Sequence, residues 1–114
     1  MNRGSYQNSP ISRKFTVMTI QESILTTLKS IKPELAARFG VRSLGIFGSV
    51  ARDDFNQDKS DVDIIVDFSR PVGIEFVDLA DYLEKKIDRK IDLVSRRGIK
   101  DRYLKAIEQE IIYV

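Results

Sequence analysis

The stretch FGSVARDDFNQDKSDVDIIVDF, from Phe47 to Phe68, decides the fold of this chain. An apolar run over 41–47 leads into Gly48-Ser49, and a polar loop follows. The β-branched segment over 62–68 comes next and alternates partly between apolar and acidic residues. These patterns predict two strands joined by a glycine-containing turn and a loop.

Acidic residues lie at the start of the second predicted strand. Residues two apart in a strand point to the same face, about 6.6 Å apart along the chain. Asp61 and Asp63 therefore share a face, while Val62 and its alternate neighbours turn toward the core. Asp92 occurs in a third predicted strand, over 90–95, and should also point away from the core. If these two strands are neighbours, three carboxylates converge.

The other elements follow from periodicity. Apolar residues at helical spacing predict a helix over 19–39, where Thr19 and Glu22 have the form of a capping box and Gly40 is a stop signal. We expect Pro33 to begin a new turn or a second helix. Further helices are predicted around 76–87 and 99–109, with a last short strand over 111–114. This order predicts a mixed α/β (α+β) fold, a small mixed sheet with helices packed on one face and the other face open for a site.

Composition limits the chemistry. The 114 residues are 42% hydrophobic and 32% charged, which is typical of one globular domain. The absence of cysteine and histidine excludes disulfides, thiolate zinc sites, Ser-His and Cys-His nucleophile pairs and imidazole catalysis. Catalysis would therefore use carboxylates, lysines, hydroxyls or a metal bound by oxygen.

Residues 1–17 are polar, carry three basic residues and no acid, and show no sustained period. We interpret them as a flexible arm and 18–114 as the folded unit, so deleting 2–17 should leave the melting temperature nearly unchanged. No apolar run is long enough for a membrane span, and the N-terminus shows no signal-peptide core. A cytoplasmic location is the default expectation.

The converging aspartates and the glycine–serine turn each allow a plainer interpretation. Three close carboxylates need a counter-charge or raised pKa values. A hard divalent cation such as Mg²⁺ would supply that charge, and the plainer alternative is a salt-bridge cluster with an arginine such as Arg52. Gly48 and Ser49 allow close approach of a phosphate, or they simply form a turn and a helix cap. Their joint occurrence is much more specific than either motif alone.

The Phe47–Phe68 stretch resembles the signature of the DNA polymerase beta nucleotidyltransferase superfamily, and most closely its minimal nucleotidyltransferase (MNT) branch, which includes the MntA-type antitoxins. The resemblance extends over 18–114 and includes the ending IDLVSRRGIKDRYLKAIEQEIIYV. The loop before Asp61 is one residue longer than is usual in the family, and Asp53 stands where many relatives have glycine. The family fold, a mixed sheet with helices on one side, agrees with the elements predicted above.

The resemblance also implies roles for individual residues. Gly48 and Ser49 would hold the triphosphate of ATP, and Arg52 could steady its charge. Asp61, Asp63 and Asp92 would bind two catalytic Mg²⁺ ions, with Asp92 as the candidate general base or as a shared ligand.

The function implied is that of an antitoxin that transfers AMP from ATP to a tyrosine of a HEPN-domain ribonuclease toxin. With no second domain after Val114, we expect the toxin to supply the acceptor in a hetero-oligomer. The alternatives are a non-catalytic antitoxin that masks the toxin, a nucleotidyltransferase for a small molecule, and a nucleic-acid-binding protein. The last would use the basic stretch 85–105, but the nearly neutral body of the chain argues against nucleic acid as a direct partner.

Overall fold

A computed structural model describes residues 18–52, 54–56 and 60–114. In chain order the elements are α1 (Ile20–Phe39), β1 (Val41–Phe47), α2 (Gly48–Ala51), β2 (Val62–Phe68), α3 (Glu75–Ile87), β3 (Ile91–Ser95), α4 (Asp101–Ile107), a 3₁₀ turn (Glu108–Glu110) and β4 (Ile112–Tyr113). Every strand predicted from the sequence is present. The predicted arm over 1–17 lies outside the described residues.

Helix α1 begins and ends as its sequence predicts. The Glu22 N–H donates to Thr19 Oγ1 at 3.0 Å, and the Thr19 N–H donates to Glu22 Oε1 at 2.9 Å. At the other end Gly40 adopts a left-handed conformation with φ 72°, which glycine accepts without steric cost.

The expectation that Pro33 begins a new turn or a second helix was wrong, because α1 continues through Pro33. Leu28 and Leu35, fully buried on either side, hold the two halves against the same core.

The four strands form one sheet in the order β3-β2-β1-β4. Strand β1 pairs antiparallel with both β2 and β4, while β2 and β3 are parallel. In this register Asp63 lies between Phe47 on β1 and Asp92 on β3. The condition set for convergence of the carboxylates, that the second and third strands are neighbours, is thus met.

One face of the sheet carries the main hydrophobic core. Helices α1 and α3 pack here against alternate residues of β2, namely Val62, Ile64, Val66 and Phe68. These are the β2 residues that point away from Asp63, as the alternation predicted.

The opposite face is only partly open, which corrects the expectation that all helices share one side. Ile107 of α4 packs against Phe47 and Ile65 in a second, smaller cluster. Ile65 alternates with the core-facing residues of β2, so α4 covers the same face that carries Asp63. Residues of α4 therefore form a wall beside the acidic cluster. Within the described part of the chain, no helix is both long enough and apolar enough to cross a membrane.

Candidate active site

A glycine-containing turn forms one side of the site. Strand β1 ends at Phe47, and the one-turn helix α2 starts directly at Gly48, where φ is 69°. Gly48 also lies so close to Asp63 that a Cβ at this position would overlap the carboxylate. Two separate constraints therefore require glycine here. The helix thus starts at Gly48, one residue before Ser49.

The aspartates lie on the neighbouring strands. Asp63 is partly buried near the start of β2, and Asp92 is its direct cross-strand partner on β3. Asp61 immediately precedes β2 and is exposed. The structure thus brings together the acidic residues that the sequence placed on one face.

The close approach of these carboxylates affects their ionisation. Burial, followed by the charges of Asp92 and Asp61, raises the pKa of Asp63 to about 6, and a hydrogen bond with Asp92 adds to the effect. The positive charge of Arg52 acts in the opposite direction but is too weak to cancel it. The cluster therefore holds negative charge that the nearby protein groups do not neutralise.

The salt-bridge alternative made Arg52 the counter-charge of this cluster. Arg52 instead pairs with Glu110, Nη1 to Oε1 at 3.3 Å, and with Asp54, Nε to Oδ2 at 3.5 Å. Among the described residues, no ion pair within 4.0 Å joins an arginine or lysine to Asp61, Asp63 or Asp92. The geometry therefore does not favour the plain salt-bridge interpretation.

A cavity of about 470 Å³ opens beside the turn and the acids. It is lined by Phe47, Gly48, Ser49, Arg52, Ser60, Asp61, Asp63, Tyr103, Ile107 and Glu110. Five of the six predicted site residues are in this set; the sixth, Asp92, does not line the cavity but is the cross-strand neighbour of Asp63, which does.

Three polar residues of this cavity were not predicted as site residues, namely Ser60, Tyr103 and Glu110. Glu110 accepts a hydrogen bond from the Gly48 N–H, and Tyr103 contributes an exposed phenol from α4. The helical spacing around Tyr103 predicted its helix but not which side of the sheet that helix covers. No local pattern marks Glu110, whose backbone partner is 62 residues away.

The donor set has the chemistry of a hard-cation site. Carboxylate oxygens are the ligands that Mg²⁺ prefers, and the excess negative charge at Asp63 would be relieved by a cation. Over 18–52, 54–56 and 60–114, however, no three acidic side chains are already grouped as ligands. Binding would therefore require side-chain rotation, or oxygens supplied by a substrate.

Comparison with known proteins decides the family. The model of the nucleotidyltransferase domain family matches residues 28–114, which include the turn, the three aspartates and all four strands. The chain belongs to the nucleotidyltransferase domain family. The superfamily resemblance noted from Phe47–Phe68 is confirmed.

One curated relative of this nucleotidyltransferase is the protein adenylyltransferase MntA of Thermococcus cleftensis. It is 41% identical over 98 residues, which cover 85% of the chain and 98% of the relative. A solved structure provisionally named a minimal nucleotidyltransferase matches with a TM-score of 0.70 and 28% identity, covering 84% of the chain and 97% of that structure.

A more distant structure is the MNT antitoxin in complex with the tri-AMPylated HEPN toxin of Shewanella oneidensis. It matches with a TM-score of 0.58 and 19% identity, covering 83% of the nucleotidyltransferase and 71% of that chain. At this identity the likeness supports the fold alone. The fold class predicted from the sequence is confirmed.

Proposed function

We propose that this nucleotidyltransferase is an antitoxin that transfers AMP from ATP to a tyrosine hydroxyl of a partner HEPN toxin. The observation that carries the proposal is the cluster of Asp61, Asp63 and Asp92, without a basic ion-pair partner among the described residues and beside the Gly48-Ser49 turn. The relative from Thermococcus cleftensis is named a protein adenylyltransferase, and the Shewanella oneidensis complex pairs an MNT antitoxin with an AMPylated toxin.

Two Mg²⁺ ions bound by the aspartates would neutralise the phosphate charge and lower the pKa of the attacking hydroxyl. Gly48 allows the phosphates to approach the backbone, and Ser49 lines the same cavity. Arg52, at the same wall, supplies a positive charge toward the leaving group.

At the α-phosphorus the transfer forms one bond and breaks one, and one proton moves from the acceptor to the protein. The tyrosine oxygen attacks the α-phosphorus of ATP, and the bond between that phosphorus and the bridging oxygen of pyrophosphate breaks. The hydroxyl proton passes to the carboxylate of Asp92, which lies on the edge strand β3 next to Asp63 of β2. Positioning of the acceptor and stabilisation of the charge that develops in the transition state then provide most of the rate enhancement.

The cavity suits an acceptor brought by another molecule. Asp61 and Asp92 are exposed, so a tyrosine on a partner surface can approach from solvent. The described residues place no second domain over this opening. A HEPN toxin bound in a hetero-oligomer would cover this opening and bring the acceptor tyrosine to the aspartates.

The test is transfer of label from α-labelled ATP to the HEPN toxin of the same genome, with Mg²⁺ present and absent. The wild-type chain should add the mass of AMP to the toxin, and Asp61→Asn/Asp63→Asn should add none. A matched control is Asp78→Asn/Asp81→Asn, which removes two exposed carboxylates from α3 on the other face of the sheet.

The alternatives give different results in the same experiment. Masking is indicated if Asp61→Asn/Asp63→Asn neutralises the toxin as well as wild type does and neither protein adds AMP to the toxin. If wild type labels no protein but modifies an aminoglycoside, the acceptor is a small molecule. Either result would reject the proposed transfer.

A further inference from the structure

Glu110 contacts two of the residues assigned to the phosphates, Gly48 and Arg52, but has no part itself in the proposed chemistry. Its Oε1 accepts a hydrogen bond from the Gly48 N–H at 2.9 Å, and both carboxylate oxygens lie 3.3 Å from Arg52 Nη1. The side chain is 28% exposed, so these bonds are partly shielded from water. One carboxylate therefore joins the backbone of the turn to the arginine at the cavity wall.

The Gly48 N–H needs such a partner. The first N–H groups of a helix have no acceptor within the helix, and Gly48 is the first residue of α2. Gly48 is also held in the left-handed region, directly against the carboxylate of Asp63. A rotation of this peptide would therefore disturb both the turn and the neighbouring aspartate.

The position of Glu110 is fixed from the other side by β4. Strand β4 starts two residues later and pairs with β1 through Gly45 and Ile46. The Val114 N–H then donates to the Leu44 carbonyl at 3.0 Å. Because β1 leads directly into Gly48, the two ends of the Glu110–Gly48 contact are attached to one pair of strands.

We infer that Glu110 is a positioning residue whose carboxylate holds the Gly48 peptide and the Arg52 guanidinium in the geometry that receives the phosphates of ATP. The inference rests on the proposed function, since it assigns the cavity to a nucleotide. Without Glu110, the described ion pairs of Arg52 reduce to the longer contact with the exposed Asp54. The Gly48 N–H would then have water as its hydrogen-bond acceptor in place of Glu110.

A competing interpretation predicts that nucleotide affinity changes in the opposite direction when Glu110 is removed. If Glu110 merely occupied donors that the triphosphate later takes, removing it would eliminate a repulsive charge and strengthen nucleotide binding. The direction of the change in affinity therefore separates positioning from competition.

The experiment uses Glu110→Ala, Glu110→Gln and the control Glu108→Ala. Glu108 belongs to the same 3₁₀ turn and pairs with Arg96 at the same 3.3 Å, but it is not part of the cavity. Two quantities are measured in ¹⁵N-labelled full-length protein: hydrogen exchange of the Gly48 amide, and the Kd for α,β-methylene-ATP with Mg²⁺.

Glu110→Ala should speed Gly48 exchange about tenfold and raise the Kd about tenfold, as expected for loss of a charge-assisted hydrogen bond. Glu110→Gln should restore most of both effects, because its amide oxygen still accepts from Gly48 and Arg52. Glu108→Ala should match wild type in both.

An unchanged or lower Kd in Glu110→Ala, with wild type binding the analogue, overturns the inference and leaves the proposed function intact. Equal Gly48 exchange in Glu110→Ala and Glu108→Ala overturns it as well. A wild-type protein that protects the Gly48 amide but binds no analogue rejects the proposed function, and with it the nucleotide role of Glu110.

Discussion

Gly48 faces Asp63 so closely that a methyl group in place of its hydrogen would overlap Oδ2 of the carboxylate. The turn after β1 and the acid at the start of β2 are therefore one steric unit. In this nucleotidyltransferase the glycine does more than permit a turn, because its missing side chain leaves the space that Asp63 occupies.

Gly48→Ala should accordingly damage both stability and activity. The added Cβ must displace Asp63, and alanine must also adopt a φ of 69°. Overpacking and the left-handed conformation together should cost about 1–3 kcal/mol of unfolding free energy, measured by urea denaturation. Gly98→Ala is the matched control, since its Cβ would meet nothing closer than 3.7 Å. Equal effects of the two substitutions would contradict the steric argument.

The stability of the metal-free protein should depend on pH through Asp63. Its folded pKa of about 6 lies above the ordinary value for an unfolded aspartate, about 3.9. The group is protonated in both states below pH 4, and its unfavourable charge is fully present in the folded state above pH 6. Its contribution therefore becomes less favourable as pH rises from 4 to 6.

Asp63→Asn removes this dependence and provides the measurement. The variant should gain stability relative to wild type as pH rises through that window, by on the order of 1 kcal/mol, because solvent screens a partly buried charge. Urea denaturation in EDTA at pH 4, 5, 6 and 7 gives the difference, with Asp81→Asn on the exposed side of α3 as control. A difference that shrinks toward pH 7 would show that Asp63 is stabilised in its ionised form.

The strands and the acids were predictable because their signals are local. Strand alternation separates Val62 from Asp63 within two residues, and the capping box at Thr19 lies within one helical turn. The pairing of Asp63 with Asp92 needed only the adjacency of two strands. The first two signals lie between neighbouring residues, whereas the adjacency of the two strands entered the sequence analysis only as a condition.

The features that were missed depend on contacts distant in sequence. Helix α4 takes the second face of the sheet because Ile107 meets Phe47 and Ile65, and no local pattern states which face a short helix covers. Proline usually interrupts a helix, yet α1 continues through Pro33 because the burial of Leu28 and Leu35 outweighs the cost of the proline. Glu110 has no signature because its partners, Gly48 and Arg52, are 62 and 58 residues away.

Gly45→Ala tests how the C-terminal segment is attached to the sheet. A Cβ on residue 45 would lie 2.8 Å from Ile111 Cγ2 and 2.9 Å from the Ile112 carbonyl oxygen. Since the second contact is with backbone, β4 must move away from β1, and we expect a loss of about 1–3 kcal/mol. Thermal unfolding measures it, at roughly 4–8 °C per kcal/mol for a domain of this size. The control is Gly73→Ala, whose nearest contact would be 3.9 Å away; an unchanged melting temperature in Gly45→Ala would reject the argument.

Addition of Mg²⁺ should stabilise the wild-type protein through the aspartate cluster. A ligand that binds only the folded state at ten times its Kd adds about 1.4 kcal/mol. Because protons compete for the carboxylate of Asp63, the rise in melting temperature should be larger at pH 7 than at pH 5.

Asp61→Asn/Asp63→Asn should melt higher than wild type in EDTA, since repulsion between the carboxylates is relieved, and its melting temperature should gain almost nothing from Mg²⁺. Asp78→Asn/Asp81→Asn should respond to the ion as wild type does. Equal Mg²⁺ shifts in wild type and the site mutant would show that the ion binds elsewhere and would remove the metal role assigned to this cluster.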